Sequence, residues 1–418
     1  MAEQAPPIYK TPGFIAFLTV AFINAMVDLG HKITIQNTVF KVYDGAEQIM
    51  FTTIVNGLIL LPFLLVFTPS GFLADRFSKP KIMQWSALAA IVITLLITLG
   101  YYQGWFIFAF TMTFVLALQS AIYSPAKYGY IREISGTDRL ASANGLMQAT
   151  TIVAILSGIF IFSVLFEYQL QDKNYHSEQE IIRLIAPIGW VLVILSIFEY
   201  LLARRLPKII TVQNDLHFNW QHYLHGKLLR KNLKMLSQNS IIWLSILGLS
   251  LFWGVSQTLL ATFPAFAKEV LNETNTIIIQ GLLACSGIGI IIGSLTAGKL
   301  SDYKGSNKLI TVGTIGLICV LFILPQLESI LGFASAILMF GLFGGLVIVP
   351  LNTLIQYHAP TEKLGIILAG NNWIQNLMMI SFLIVTLLAA TFYIGSYIIL
   401  LALPIITFII ALIILKNR

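Results

Sequence analysis

Long apolar runs recur twelve times along this chain, and that recurrence limits its possible folds more than any other feature. A helix needs about 20 mostly apolar residues to cross the hydrocarbon core, where no water is present to pair with backbone N–H and C=O groups. The runs fall near residues 13–36, 49–73, 82–101, 105–124, 140–166 and 184–203, and then near 241–266, 276–299, 308–326, 331–355, 364–390 and 392–415. Of 418 residues, 57% are hydrophobic and only 10% charged, with a mean hydropathy of +0.85. A water-soluble chain carries about 25% charged residues, so lipid is the solvent for most of this one. The expected class is an all-α integral membrane protein with twelve transmembrane helices.

Cys285 and Cys319 both sit inside apolar runs, which implies buried thiols rather than a disulfide framework or a zinc site. The start, Met-Ala-Glu-Gln-Ala-Pro-Pro, lacks the features of a cleaved signal peptide, so the first run is expected to act as its own insertion signal. Of the 25 lysines and arginines, 20 fall in segments that are cytoplasmic if the N-terminus is inside. The other 5 are Lys32, Lys41, Lys173, Arg183 and Lys268. Cytoplasmic loops retain positive residues during insertion, so both termini are expected in the cytoplasm. The same distribution removes nucleic acid as the meaning of the +7 net charge, because the basic residues form no tract. One long polar stretch, 204–240, separates six runs in 1–203 from six in 241–418. Its His222-Tyr-Leu-His-Gly-Lys-Leu-Leu-Arg-Lys-Asn-Leu-Lys-Met-Leu236 portion has the pattern of an amphipathic helix lying on anionic lipid.

The two halves repeat. Gly71-Phe-Leu-Ala-Asp75-Arg76 follows the second run and Gly298-Lys-Leu-Ser-Asp302-Tyr303 follows the eighth, at an offset of 227 residues. Asn144 and Gln148 in the fifth run match Asn371 and Gln375 in the eleventh at the same offset. Two independent pairs sharing one spacing point to duplication of a six-span unit, which preserves orientation. The glycine-x3-aspartate-basic loop resembles the signature of the major facilitator superfamily. The fold so implied is the major facilitator fold, two pseudo-symmetric six-helix bundles, with gate roles for Gly71, Asp75, Arg76, Gly298 and Asp302. Tyr303 replaces the second arginine, a departure that weakens the second copy of the latch.

Three further stretches carry a closer likeness: Tyr123-Ser-Pro-Ala-Lys-Tyr-Gly129 with Ala143-Asn-Gly-Leu-Met-Gln148, Leu251-Phe-Trp-Gly254, and Val349-Pro-Leu-Asn352 with Ala369-Gly-Asn-Asn372. They resemble the bacterial lysophospholipid transporters, including the transporter part fused to acyltransferase and acyl-carrier-protein synthetase domains. The resemblance implies inward movement of lysophosphatidylethanolamine across the bacterial inner membrane, with such an acyltransferase acting on the product. Leu29 and Leu260 stand where standalone members carry asparagine and arginine, which leaves the headgroup contacts open. Carriage of another amphiphile, such as a drug or siderophore, and a non-transporting scaffold for acyltransferases are the other readings of the residues.

The first run carries Asn24, Asp28, His31, Lys32 and Gln36, whose spacing places them along one helical face. A charge inside hydrocarbon is expensive unless it faces a cavity or partner, so this stripe is expected to line an interior site. Lys32 and His31 suit a phosphate and Asp28 an amine; an Asp28 to Lys32 pair that only orders the helix is the alternative. Asn144, Gln148, Asn352, Asn371, Asn372 and Gln375 supply uncharged polar groups for substrate contact or for helix-to-helix bonding. Trp253 and Gln257 are further substrate candidates. Lys127 and Arg132 follow a helix end expected at Pro125 and serve either as a gate or as positive anchors. None of the six histidines has an aspartate at acyltransferase spacing. The chain also lacks a Walker loop, a His-Glu-x2-His pair and a nucleophile elbow, so no motif calls for a cofactor or a covalent reaction.

Overall fold

The computed structural model describes residues 8–43, 45–207, 218, 221, 223, 226–271, 276–301, 307–392 and 394–416, and every long element among them is an α-helix. In chain order these are α1 (Phe14–Val42), α2 (Gly45–Leu65), α3 (Phe67–Arg76), α4 (Lys79–Gln103), α5 (Phe106–Ser135), α6 (Leu140–Leu170), α7 (Glu178–Leu184) and α8 (Pro187–Ala203). There follow α9 (Lys227–Gln238), α10 (Ser240–Leu271), α11 (Thr276–Leu300), α12 (Asn307–Ile323), α13 (Ile330–His358), α14 (Leu364–Thr391) and α15 (Ser396–Lys416). Among the described residues, nine helices are long and apolar enough to span a membrane alone. The α2–α3 and α7–α8 pairs are long and apolar enough only when taken together, each bent by 56°, and α15 supplies a shorter apolar helix. These segments fall where the twelve apolar runs lie.

Proline explains where the expected spans and the helices differ. The second span is not continuous: Pro69 has no N–H for the carbonyl of Leu65 and its ring crowds that carbonyl, so the helix breaks at Val66. Pro187 likewise opens α8 after a break from α7. Pro125 does the opposite of what was expected. It lies inside α5, which runs on to Ser135, and the buried Tyr123, Ala126, Tyr130 and Ile131 hold both sides of the proline in one packed helix.

The helices are apolar on all sides, so the polar and small residues show which side is packed. On α4 Ser86, Ala87, Ala90, Thr94 and Thr98 are buried together with Met83, Ile97 and Tyr101, while Leu88, Val92, Leu95 and Leu99 are exposed. Lipid is as apolar as leucine and accepts the exposed side chains, and small residues on the packed side let helices approach closely. The approach is closest between α11 and α13. A Cβ on Gly341 would overlap the carbonyl oxygen of Ser286, and one on Gly289 would overlap that of Leu338. Along α9 the basic Lys227, Arg230, Lys231 and Lys234 are exposed and Leu236 is buried against Gly370, the amphipathic helix expected in that stretch.

By internal contacts the chain forms two compact units, one of Met1–Ile134, Val153–Asn219 and Thr361–Ala369, the other of Ser135–Ile152, Trp220–Pro360 and Gly370–Arg418.

Candidate functional site

In the first unit, α1 packs against α8 and carries the polar stripe. Asn24 is buried, Asp28 keeps part of its surface accessible, and Lys32 and Gln36 are half-buried. The hydroxyl of Ser120 on α5 donates to Asp28 Oδ2 and also contacts Gln119, whose amide in turn donates to the carbonyl of Ser86. Asp28 Oδ1 has no hydrogen-bond partner. Asp28 and Lys32 do not pair, so the helix-ordering ion pair does not form. Gln36 donates to Asn56 of α2 at 3.4 Å.

His31 departs from the stripe. It is 0% exposed, with Nδ1 2.8 Å from the Tyr101 hydroxyl and Nε2 3.1 Å from the Ala109 carbonyl and 3.3 Å from Thr113 Oγ1. A carbonyl only accepts, so Nε2 carries a proton, and the ring knits α1 to α4 and α5. The expectation that His31 meets a phosphate gives way to this packing role, because all its polar capacity is already engaged.

Two residues outside the expected set share the region around Asp28. Glu199 on α8 is 0% exposed with the Asn24 side chain beside it, and the Tyr123 hydroxyl on α5 is buried without a hydrogen-bond partner. Glu199 was legible as a lone acid in the apolar Val191-Leu-Val-Ile-Leu-Ser-Ile-Phe-Glu199 run. Lys127 lies with its ammonium 4.8 Å from the Tyr128 ring centroid and 5.9 Å from that of Tyr123, within electrostatic reach of Asp28. It therefore belongs with this cluster rather than with the end of a helix. Arg132 is partly buried and engaged on the last turn of α5.

The latch residues converge within the same unit. Asp75 Oδ1 accepts from the Gly365 amide at 2.6 Å and Oδ2 from the Ile366 amide at 3.1 Å, so the carboxylate caps the free N–H groups of the first turn of α14. Gly71 permits this, since a Cβ there would sit 2.7 Å from Ile366 Cα and 3.2 Å from Ala369 Cβ. Lys79, buried at the start of α4, pairs with Glu133 of α5 at 2.9 Å. The loop pattern did not single out either of these. Arg76 lies over the Phe72 and Phe77 rings at 5.8 and 5.6 Å.

In the second unit the repeat reappears as structure. A Cβ on Gly298 would meet Ser142 Cα at 3.4 Å, and Ser142 Oγ donates to the Gly298 carbonyl at 2.7 Å. Gly71 with Ala369 and Gly298 with Ser142 are the same contact at the 227-residue offset. Asp302 lies outside the described residues.

Among the uncharged candidates, Asn144 and Gln356 join α6 to α13: Gln356 Nε2 donates to Asn144 Oδ1 at 2.9 Å, and Asn144 Nδ2 reaches Thr353 Oγ1 at 3.3 Å. Asn371 accepts from Gln375 at 2.7 Å along α14, and Asn352 donates to its own helix at Ile348. Gln148 is buried, Asn372 and Trp253 are half-buried, and Gln257 approaches Met379 Sδ at 3.6 Å.

Bent apolar helices, a polar stripe on the first helix and a glycine contact repeated at a 227-residue offset define a polytopic membrane protein of duplicated build. The model of the Major Facilitator Superfamily matches residues 13–383. The lysophospholipid transporter LplT of Photorhabdus laumondii is 30% identical over 385 residues, covering 88% of this chain and 86% of that protein. LplT of Klebsiella pneumoniae is 27% identical over 84% of this chain and 81% of its own. Among solved structures, the transporter FucP in its outward conformation superposes with a TM-score of 0.74 at 12% identity, covering 96% of this chain and 97% of that one. The human organic anion transporter MFSD10 gives 0.69 at 10% identity, covering 97% of this chain and 100% of its own. The chain belongs to the Major Facilitator Superfamily, and within it to the family of these lysophospholipid transporters.

Proposed function

We propose that this protein moves lysophospholipids, chiefly lysophosphatidylethanolamine, from the outer to the inner leaflet of the bacterial inner membrane by alternating access. It is read as two homologous halves, 1–203 and 241–418, joined by the 204–240 linker, with both termini cytoplasmic. The observation that carries the reading is Asp28, a half-buried acid inside a spanning helix with one carboxylate oxygen left without a partner, on a chain matching proteins named for lysophospholipid transport along most of their length. An ammonium headgroup meets Asp28 with Asn24 beside it, and Lys32, one turn along α1, meets the phosphate. His31 fixes the α1 backbone that presents them. Asn144 acts mainly by bonding α6 to α13, and Asn371 and Gln375 by bonding each other along α14, while Gln148, Trp253, Gln257, Asn352 and Asn372 remain candidates for contact with substrate. Asp75 and Gly71 latch the start of α14, and its release accompanies opening toward the cytoplasm. The product is a lipid for an acyltransferase or acyl-carrier-protein synthetase to reacylate.

The test is leaflet-resolved uptake of labelled lysophosphatidylethanolamine into proteoliposomes. Inward movement that is lost in Asp28→Ala supports the reading. Movement only of unrelated amphiphiles, or none at all, would sink it.

A further inference from the structure

The second unit holds a cavity of about 290 Å³ between α10, α12, α13 and α15, and no charged side chain is among the residues that line it. Leu251 and Val255 of α10 with Val347 and Leu351 of α13 form its buried wall. Two hydroxyls on its lining are engaged within their own helices: Thr311 Oγ1 donates to the Asn307 carbonyl at 2.9 Å, and Thr407 Oγ1 to that of Leu403 at 2.7 Å. Ser245 and Thr314 are the other hydroxyl-bearing residues there. An apolar cavity of about half this size excludes water and takes up hydrocarbon, so this space is dry. The 227-residue offset of the repeat carries Asn24 and Asp28 onto Leu251 and Val255. Where the first half sets an amide and a carboxylate, the second sets hydrocarbon.

Ile315, Phe408 and Leu412 also line the cavity and are exposed, so it opens between α12 and α15 on a surface that faces lipid. Its depth fits one leaflet, because along α10 the lining runs from Leu244 to Val255, about 16 Å at the helical rise and roughly half of a hydrocarbon core. A methylene, like a water molecule, takes about 30 Å³, so roughly ten fit. Lys308, exposed in the first turn of α12, stands three residues before Thr311 and seven before Ile315, on the helix face that reaches the opening. We propose that this cavity holds one acyl chain of a bilayer glycerophospholipid, with the phosphate of that lipid at Lys308. The lipid belongs to the leaflet where α10 and α12 begin and α15 ends, since Leu244, Ile310 and Leu412 all lie within two turns of those ends. Its chain completes the packing between the four helices, which makes it a resident of the second unit and not cargo. The assignment rests on the membrane setting of these helices, not on the lysolipid reading.

The test uses the purified full chain in proteoliposomes containing a phosphatidylglycerol with a diazirine in one acyl chain. Irradiation is expected to attach the probe to Leu251, Val347 or Leu351, read by mass spectrometry of the peptides. Thr314→Phe and Ala411→Leu each fill the space and are expected to cut labelling of this wall by about fivefold or more, since the new side chain overlaps the lipid chain. Either variant serves should the other not fold. Lys308→Ala is expected to reduce labelling by about 2- to 5-fold, the worth of an exposed charge contact. Labelling confined to Ile315, Phe408 and Leu412, or labelling of the buried wall that the filled variants keep, overturns the site. Excess unlabelled phosphatidylglycerol is expected to displace the probe better than an equal excess of lysophosphatidylethanolamine; the reverse would make the cavity a place for cargo and overturn the resident lipid. Failure of lysophosphatidylethanolamine to cross the same membranes removes the lysolipid reading and leaves a labelled cavity standing.

Discussion

Asp28 and His31 stand three residues apart on α1 and carry opposite expectations. Asp28 keeps accessible surface and offers a charged acceptor, so Asp28→Ala is expected to weaken lysophosphatidylethanolamine binding by about 10-fold or more, the worth of one charge-assisted hydrogen bond. His31→Ala is expected to lower stability by about 1–3 kcal/mol, since it strands the Tyr101 hydroxyl and the Ala109 carbonyl, while affinity in the folded fraction holds. Ligand titration and thermal unfolding run side by side would show the split; a large affinity loss in His31→Ala would return His31 to the headgroup. Asp75→Ala removes the acceptor of two backbone amides and is expected to cost about 2 kcal/mol, read as a lower melting temperature that Asp75→Glu does not fully restore. The sequence marked Asp28 and Asp75 because an intramembrane acid and a loop aspartate behind a glycine are visible in isolation. It could not mark the sealing of His31, since spacing defines a helix face but Tyr101 and Ala109, about 70 and 78 positions on, decide what that face meets. Glu199 was visible as a lone acid; that α8 turns it toward α1 was not.

At the scale of helices, close packing is set by glycines whose importance depends on the partner. Gly341→Ala puts a methyl where the Ser286 carbonyl lies, and because both atoms belong to rigid backbone the α11–α13 contact must open. The expected cost is about 1–3 kcal/mol or more. Gly57→Ala, on α2 with nothing within 4 Å of the new Cβ, is expected to be neutral or to stabilise by up to about 1 kcal/mol through helix propensity. The measurement is the melting temperature of each purified variant; equal effects would show that the glycine contact does not bear on stability. The number of spans was legible because hydropathy is a local property summed over a span. The bends were not: Pro69 and Pro187 break helices while Pro125 does not, and the difference lies in what packs around each proline. Duplication was legible from two residue pairs and returns as the matched Gly71–Ala369 and Gly298–Ser142 contacts.

For the molecule as a whole, the membrane is the dominant constraint, and orientation is the property it fixes most directly. Insertion holds lysine and arginine on the cytoplasmic side because their translocation is unfavourable, and 20 of the 25 basic residues lie in segments that the proposed orientation, with both termini inside, puts on that side. On the proposed orientation the exposed basic face of α9 would add about 1 kcal/mol per residue of attraction to the anionic lipid of the cytoplasmic leaflet. Lys173 lies on an exposed turn between α6 and α7 on the opposite side of the reading, and Lys234 on the exposed face of α9. Single cysteines are therefore placed at each position in a background carrying Cys285→Ala and Cys319→Ala. A membrane-impermeant maleimide is expected to label Lys173→Cys on intact cells and Lys234→Cys only in inverted vesicles. The reverse pattern would place the termini outside, turn the Asp75 latch to the outer face, and so invert the direction of lipid movement argued from Asp28. Labelling of both from one side would remove the single crossing between them, because α7 and α8 then could not together cross the membrane. The pair of positions thus tests the orientation and the bent sixth span in a single experiment.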